Sequence, residues 1–92
     1  MLRQQYTHLL RRFLSGEIRK YRTQSQLTQE QISERLCMAP RSYADLEHGA
    51  CGCSGLTVVL FLLLLKDEEV LQLLRSARKE LKEAEQHDAA YV

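Results

Sequence analysis

The sequence predicts an all-α domain of about five helices, and three observations carry that expectation. Apolar residues recur at steps of three and four over the first two dozen positions. Helix start and stop residues sit where short helices need them, at Thr28, Pro40 and Gly49. No segment alternates apolar and polar residues in the way that a half-buried strand would. With 92 residues and 10.7 kDa, the chain holds one core and not two. Its 45% hydrophobic and 27% charged residues are those of a globular chain, and they exclude a disordered or fibrous one.

Leu2, Tyr6, Leu9, Leu10, Phe13, Leu14, Ile18 and Tyr21 form the first stripe, so helix is expected from about residue 2 to 23. Ser15-Gly16 interrupts it with two poor helix formers. One rod and two helices are both compatible with the spacing, and the propensities favour a break there. Thr23 to Gln26 reads as a turn. Thr28 and Gln31 then form a capping box, with Leu27 placed to staple onto Ile32, so a helix starts at Gln29 and ends near Leu36 or Cys37. Met38 and Ala39 link it to a helix that begins at Pro40, buries Tyr43 and Leu46, and closes at His48-Gly49.

Ala50 to Gly55 is a loop, and Ser54 is placed to cap the apolar run that follows to Leu65. Four consecutive leucines favour helix there, against the pull of Thr57, Val58 and Val59. The run is about ten residues, half of what a membrane span needs, so no membrane anchor is expected. Asp67, Glu68 and Glu69 open a last helix whose stripe runs from Val70 through Leu81 and Ala84. The expected division is an extension helix over 1–14, a core over 15–66, a C-terminal helix over 67–87 and a tail over 88–92.

Formal net charge is only +1, which excludes a chain-wide basic field. Residues 1–50 carry eight basic and five acidic residues, while residues 51–92 carry five and seven. A modestly basic first half suits phosphate, and an ordinary solvated surface explains the same small asymmetry. Three cysteines without a secretory leader fit a reducing cytoplasm. His48, Cys51 and Cys53, with Cys37 as a fourth, have the chemistry of zinc ligands but lack paired knuckles, so thiols without metal are expected. No nucleotide loop, paired acids or cysteine–histidine pair with an orienting third group appears, so neither a cofactor nor an enzyme is expected.

Two short helices over 29–36 and 40–48, joined by a turn of about three residues, have the geometry of a helix-turn-helix. Together with Ile18-Arg19-Lys20-Tyr21-Arg22, the Leu27-Thr28-Gln29-Glu30-Gln31-Ile32 run and Leu46-Glu47-His48-Gly49, the segment resembles the Cro/CI-type (XRE, lambda-repressor-like) DNA-binding family over about Leu14 to Leu71. The resemblance implies a cytoplasmic regulator that binds double-stranded DNA as a homodimer, with the 40–48 helix in the major groove. It implies contacts from Thr28, Gln29, Arg41, Ser42 and Asp45, with Arg19 and Arg22 flanking.

Four positions depart from the pattern. Cys37 stands where glycine is usual, Ala39 where a polar cap is usual, Pro40 where a basic residue is frequent, and Asp45 places an acid on the DNA face. The apolar 56–65 helix has more than one face to bury, so the flanking helices and a second chain are both expected to cover it, with Leu60, Leu63, Leu74 and Leu81 at the dimer interface. The competing reading is a protein-interaction module that keeps the fold without specific DNA binding.

Overall fold

The computed structural model describes the backbone of residues 2–90 and the side chains of residues 2–87. Among these residues the chain forms five helices and no strand: α1 (Arg3–Gln24), α2 (Gln29–Arg35), α3 (Pro40–Glu47), α4 (Gly55–Leu64) and α5 (Asp67–Ala90).

The expected break at Ser15-Gly16 is absent, and α1 runs through it as one helix of 22 residues. Ser15 donates its hydroxyl to the Arg12 carbonyl at 3.1 Å, so the group is used inside the helix and not as a cap for a new one. Gly16 costs about 1 kcal/mol relative to alanine. Burying an isoleucine side chain yields about 1.5–3 kcal/mol, and Ile18 two residues on is fully buried while Tyr21 packs against the core, so tertiary packing wins. Residues 3–14 of the expected extension and the start of the core are therefore one continuous helix. At the other end α5 continues to Ala90, past the expected tail boundary, because no glycine or proline stops it. Positions 91 and 92 of that tail lie outside the described residues.

The local signals at the helix ends act as expected. Thr28 Oγ1 accepts from the Gln31 amide at 3.1 Å, and Gln31 Oε1 accepts from the Thr28 amide at 2.9 Å. Ser54 Oγ accepts from the Thr57 amide, and Glu69 Oε1 from the Lys66 amide. Three helices end in the same six-residue closure, with Leu27 N–H to the Arg22 carbonyl, Met38 N–H to that of Ser33 and Ala50 N–H to that of Asp45. The closure demands a left-handed residue, filled by Gln26 (φ 56°), Cys37 (φ 55°) and Gly49 (φ 77°). Only the last is free of a Cβ penalty.

The core draws on every helix: Ile18 from α1, Ile32 from α2 with its C-cap Leu36, Tyr43 and Leu46 from α3, Phe61 from α4 and Leu73 from α5. Tyr21 meets Phe61 edge-on, with ring centroids 5.8 Å apart. Ser33 is fully buried, a small residue in the contact region of α2. Farther out, the Tyr6 hydroxyl donates to Glu85 at 2.6 Å and ties the first turns of α1 to the far part of α5.

Ala39 precedes α3 with extended backbone and no side-chain acceptor for the helix amides. Ala39→Ser is expected to supply that acceptor and stabilise the protein by about 1 kcal/mol, a rise of roughly 4–8 °C in Tm. An unchanged melting curve would show that these amides are satisfied without it.

Candidate nucleic-acid interface

Helix α3 is too short to orient itself, so its placement depends on what its inner face touches. Tyr43, Leu46 and Glu47, at the i, i+3 and i+4 positions of one face, are buried, whereas Arg41, Ser42, Asp45 and the C-cap His48 are exposed. Two of the three inner residues are ordinary core. The third is a carboxylate with a side chain only 3% exposed, and it needs partners.

Arg22 of α1 supplies them. Its Nη2 donates to Glu47 Oε1 at 2.7 Å, while Nη1 donates to the Leu27 carbonyl at 3.1 Å in the turn that leads to α2. From α2, Gln29 Nε2 donates to the other carboxylate oxygen at 3.2 Å. Arg19 reaches the group at 3.5 Å, but its side chain is 65% exposed and the pair adds little. Burial alone would raise the Glu47 carboxyl. The hydrogen bond and charge of Arg22 outweigh that effect and hold it below the ordinary carboxylate range, with Gln29 adding to the shift. The same hydrogen bond keeps Arg22 more firmly protonated against its own desolvation. The Tyr43 hydroxyl is buried beside the pair without a well-directed hydrogen bond to either member, and burial together with the Glu47 charge pushes it up to about 12.

Arg41, Ser42 and Asp45 therefore share the outward face of α3, and Thr28 is exposed at the start of α2. Gln29 is half-buried and turned to Glu47, and Arg22 is committed inside the fold, so neither side chain stands free for an outside partner. Arg19 keeps an exposed guanidinium. Of the residues expected at a dimer interface, Leu63 is 74% exposed and Leu74 is exposed, while Leu60 and Leu81 are half-buried, Leu60 against the core.

Glu47 is the residue that sequence reasoning passed over. Its signal was present in the pairing of Ile18-Arg19-x-x-Arg22 with Leu46-Glu47-x-Gly49, an acid next to buried Leu46 and a base one helical turn after buried Ile18.

Cys51 Sγ points to the Ser42 carbonyl at 4.0 Å, and burial, with Cys51 adding, pushes the Cys53 thiol up, which disfavours a thiolate ligand. Among the described residues no three His, Cys, Asp or Glu side chains gather as a metal site. Nor is any described helix long and apolar enough to cross a membrane.

Residues 18–51 match the family model described as Helix-turn-helix. That segment is a helix-turn-helix of the Cro/CI type. It takes in the last turns of α1, all of α2 and α3, and the left-handed closure at Gly49. The buried Arg22–Glu47 pair thus lies wholly inside the helix-turn-helix, while the first half of α1, α4 and α5 lie outside it. No curated protein and no solved structure matches the chain.

Glu47→Gln should strip the charge that answers Arg22 and destabilise the fold by about 3 kcal/mol. Because the folded carboxyl titrates below its unfolded value, its stabilising contribution is complete above the ordinary carboxylate range and is lost as pH falls through the lowered value. The urea midpoint of the native protein is therefore expected to drop in acid more steeply than that of Glu47→Gln. Parallel acid profiles would show that the pair contributes nothing.

Proposed function

We propose that the protein is a sequence-specific DNA-binding regulator that acts inside the cell as a homodimer, with α3 in the major groove. One observation carries the reading: the helix-turn-helix exposes Arg41, Ser42 and Asp45 on one face of α3, and the opposite face is locked to α1 and α2 through Glu47. A reading helix must be held rigidly, since a loosely held one spends its binding energy on ordering.

On this reading Arg41 donates to the O6 and N7 edge of a guanine, and Ser42 bonds to a base or a phosphate. Asp45 repels phosphate but accepts from a cytosine amino group, so it selects bases while weakening general affinity. Thr28 and the first amides of α2 position the backbone, Gln29 contributing its main-chain amide while its side chain holds Glu47. Arg19 supplies a flanking charge. The function is binding, in keeping with a DNA-binding family, and no catalytic role is assigned.

Dimerisation is proposed through α4 and α5. Leu56, Val59 and Leu63 form a stripe along α4 at 65%, 53% and 74% exposure, and Leu71 and Leu74 on α5 are exposed too. Paired reading heads then address two half-sites about one turn of DNA apart. The same stripe favours a second reading, in which the fold serves as a protein-interaction module with α3 unused.

Selection of bound sequences from a random duplex pool at two salt concentrations separates the two, because phosphate contacts weaken with salt and apolar contacts hardly respond. An enriched inverted repeat is the expected product, and no enrichment at either salt would leave the interaction module. Arg41→Ala is expected to cost about 1–3 kcal/mol of affinity for the selected site and to relax preference at one position. Undiminished affinity would remove Arg41 from the interface. For the dimer, Leu63→Glu should halve the sedimenting mass, and an unaltered mass would exclude this face.

A further inference from the structure

The formal charge of the first fifty residues is not where the helix-turn-helix lies. Residues 15–50 carry five basic and five acidic side chains and are neutral. The whole excess of +3 comes from residues 1–14, where Arg3, Arg11 and Arg12 stand without a single acid. On the reading face of α3, Arg41 and Asp45 cancel, and Arg22 is consumed by Glu47. The segment that would read bases therefore has little charge of its own with which to hold a polyanion.

The fold gathers two of these three charges on one surface. Arg3, Gln4, Thr7, His8 and Arg11 line a shallow depression on the first half of α1, with no carboxylate among them. Tyr6 meanwhile ties this half of the helix to α5 through Glu85. Among the described residues neither Arg3, Arg11 nor Arg12 is ion-paired. Arg11 is also seated. Its guanidinium lies on Gly52, where a Cβ would come within 3.0 Å of Nε, and that nitrogen is buried without an acceptor. The loop beneath it leads straight to the reading helix, since the neighbouring Cys51 approaches the carbonyl of Ser42. Arg11 is thus fixed next to a loop that touches the first turn of α3.

Resting on the DNA-binding reading above, we infer that the first half of α1 is a second nucleic-acid contact: Arg3 and Arg11 bind the phosphodiester backbone beside the groove that α3 enters. The contact is charge-driven and independent of sequence, so it raises affinity for every duplex and leaves the choice among duplexes to α3.

The test compares the full chain with Arg3→Ala/Arg11→Ala and Arg3→Lys/Arg11→Lys, titrated against the selected duplex and a random one over a salt series. The alanine pair is expected to weaken both duplexes alike, by about tenfold, and to make the slope of log K against log salt shallower by about two, one for each phosphate contact. The preference between duplexes should stay unchanged, and the lysine pair should restore binding. Equal slopes and affinities for native protein and alanine pair would overturn the inference while leaving the DNA-binding reading intact. Native protein that binds neither duplex would overturn both. Arg3→Glu guards against a folding artefact, because an acid in the first turn of α1 suits the helix dipole. It should hold or raise Tm while lowering affinity for both duplexes, and undiminished binding in that variant also overturns the inference.

Discussion

A carboxylate buried at the end of α3 sets the terms for the rest of the helix-turn-helix. Glu47 lies in the last turn of its helix, where the backbone dipole already carries partial negative charge, and it is almost fully withdrawn from water. Neither circumstance favours an ionised acid. Arg22 makes the position tenable, and its geometry forces three elements into one arrangement, since the same guanidinium holds the α3 carboxylate and the carbonyl of Leu27 at the entrance to α2. The net stability from such a pair is modest, because desolvation offsets much of the attraction. Its larger effect is to define orientation: shifting α3 by even one residue would put Leu46 or His48 in place of Glu47 and leave Arg22 without an acceptor.

That constraint matters because α2 and α3 are only seven and eight residues long, below the length at which a helix persists alone in water. Both are stabilised by capping and by the core. At α2 the local terms favour helix, with a reciprocal box at one end and, at the cost of a left-handed Cys37, a closed carbonyl ladder at the other. At α3 they conflict: Ala39 provides no cap, and the turn before it forces Cys37 into a left-handed backbone at about 1–2 kcal/mol. Fully buried Tyr43 and Leu46 outweigh these costs, and α3 therefore keeps its shape only while docked.

The parts of this fold legible in the sequence were those written in neighbouring residues. Thr28 with Gln31, Pro40, Gly49, Ser54 and the acids from Asp67 to Glu69 each mark a helix end by chemistry that acts over three or four positions, and each marks it correctly. The outward face of α3 followed as well, because buried Tyr43 and Leu46 fix which positions remain outside. Ser15-Gly16 misled because propensity is local, whereas the burial of Ile18 and Tyr21 that overrides it depends on α3 and α4. The role of Arg22 was hidden for the same reason. Its partner lies 25 residues away, and a basic residue on a helix beside a reading head has the same appearance in sequence whether it meets phosphate or a buried acid. In α4 nearly every residue is apolar, so periodicity alone could not say that Leu60 leans on the core while Leu63 faces out.

These placements separate two tasks that a small DNA-binding domain must combine. Inside the segment 18–51 the basic side chains are largely answered by acids, and the best-placed arginine is spent on internal order. A groove-reading surface of that kind discriminates well and adheres poorly, because base edges are read by directed hydrogen bonds while adhesion to DNA comes from counterion release. On the proposed reading, adhesion then comes from elements outside the segment. The acid-free first half of α1 offers charge, and in the proposed dimer the apolar stripe on α4 would bring a second reading head, which would double every contact at once. Both elements reach α3 through covalent or packed connections no longer than one loop: Gly52 bears Arg11, and Ser54 starts α4 two residues later. A side chain added at Gly52 would press on the Arg11 guanidinium in a loop whose Cys51 approaches the Ser42 carbonyl, so a change there is felt by the first half of α1 and by α3 together.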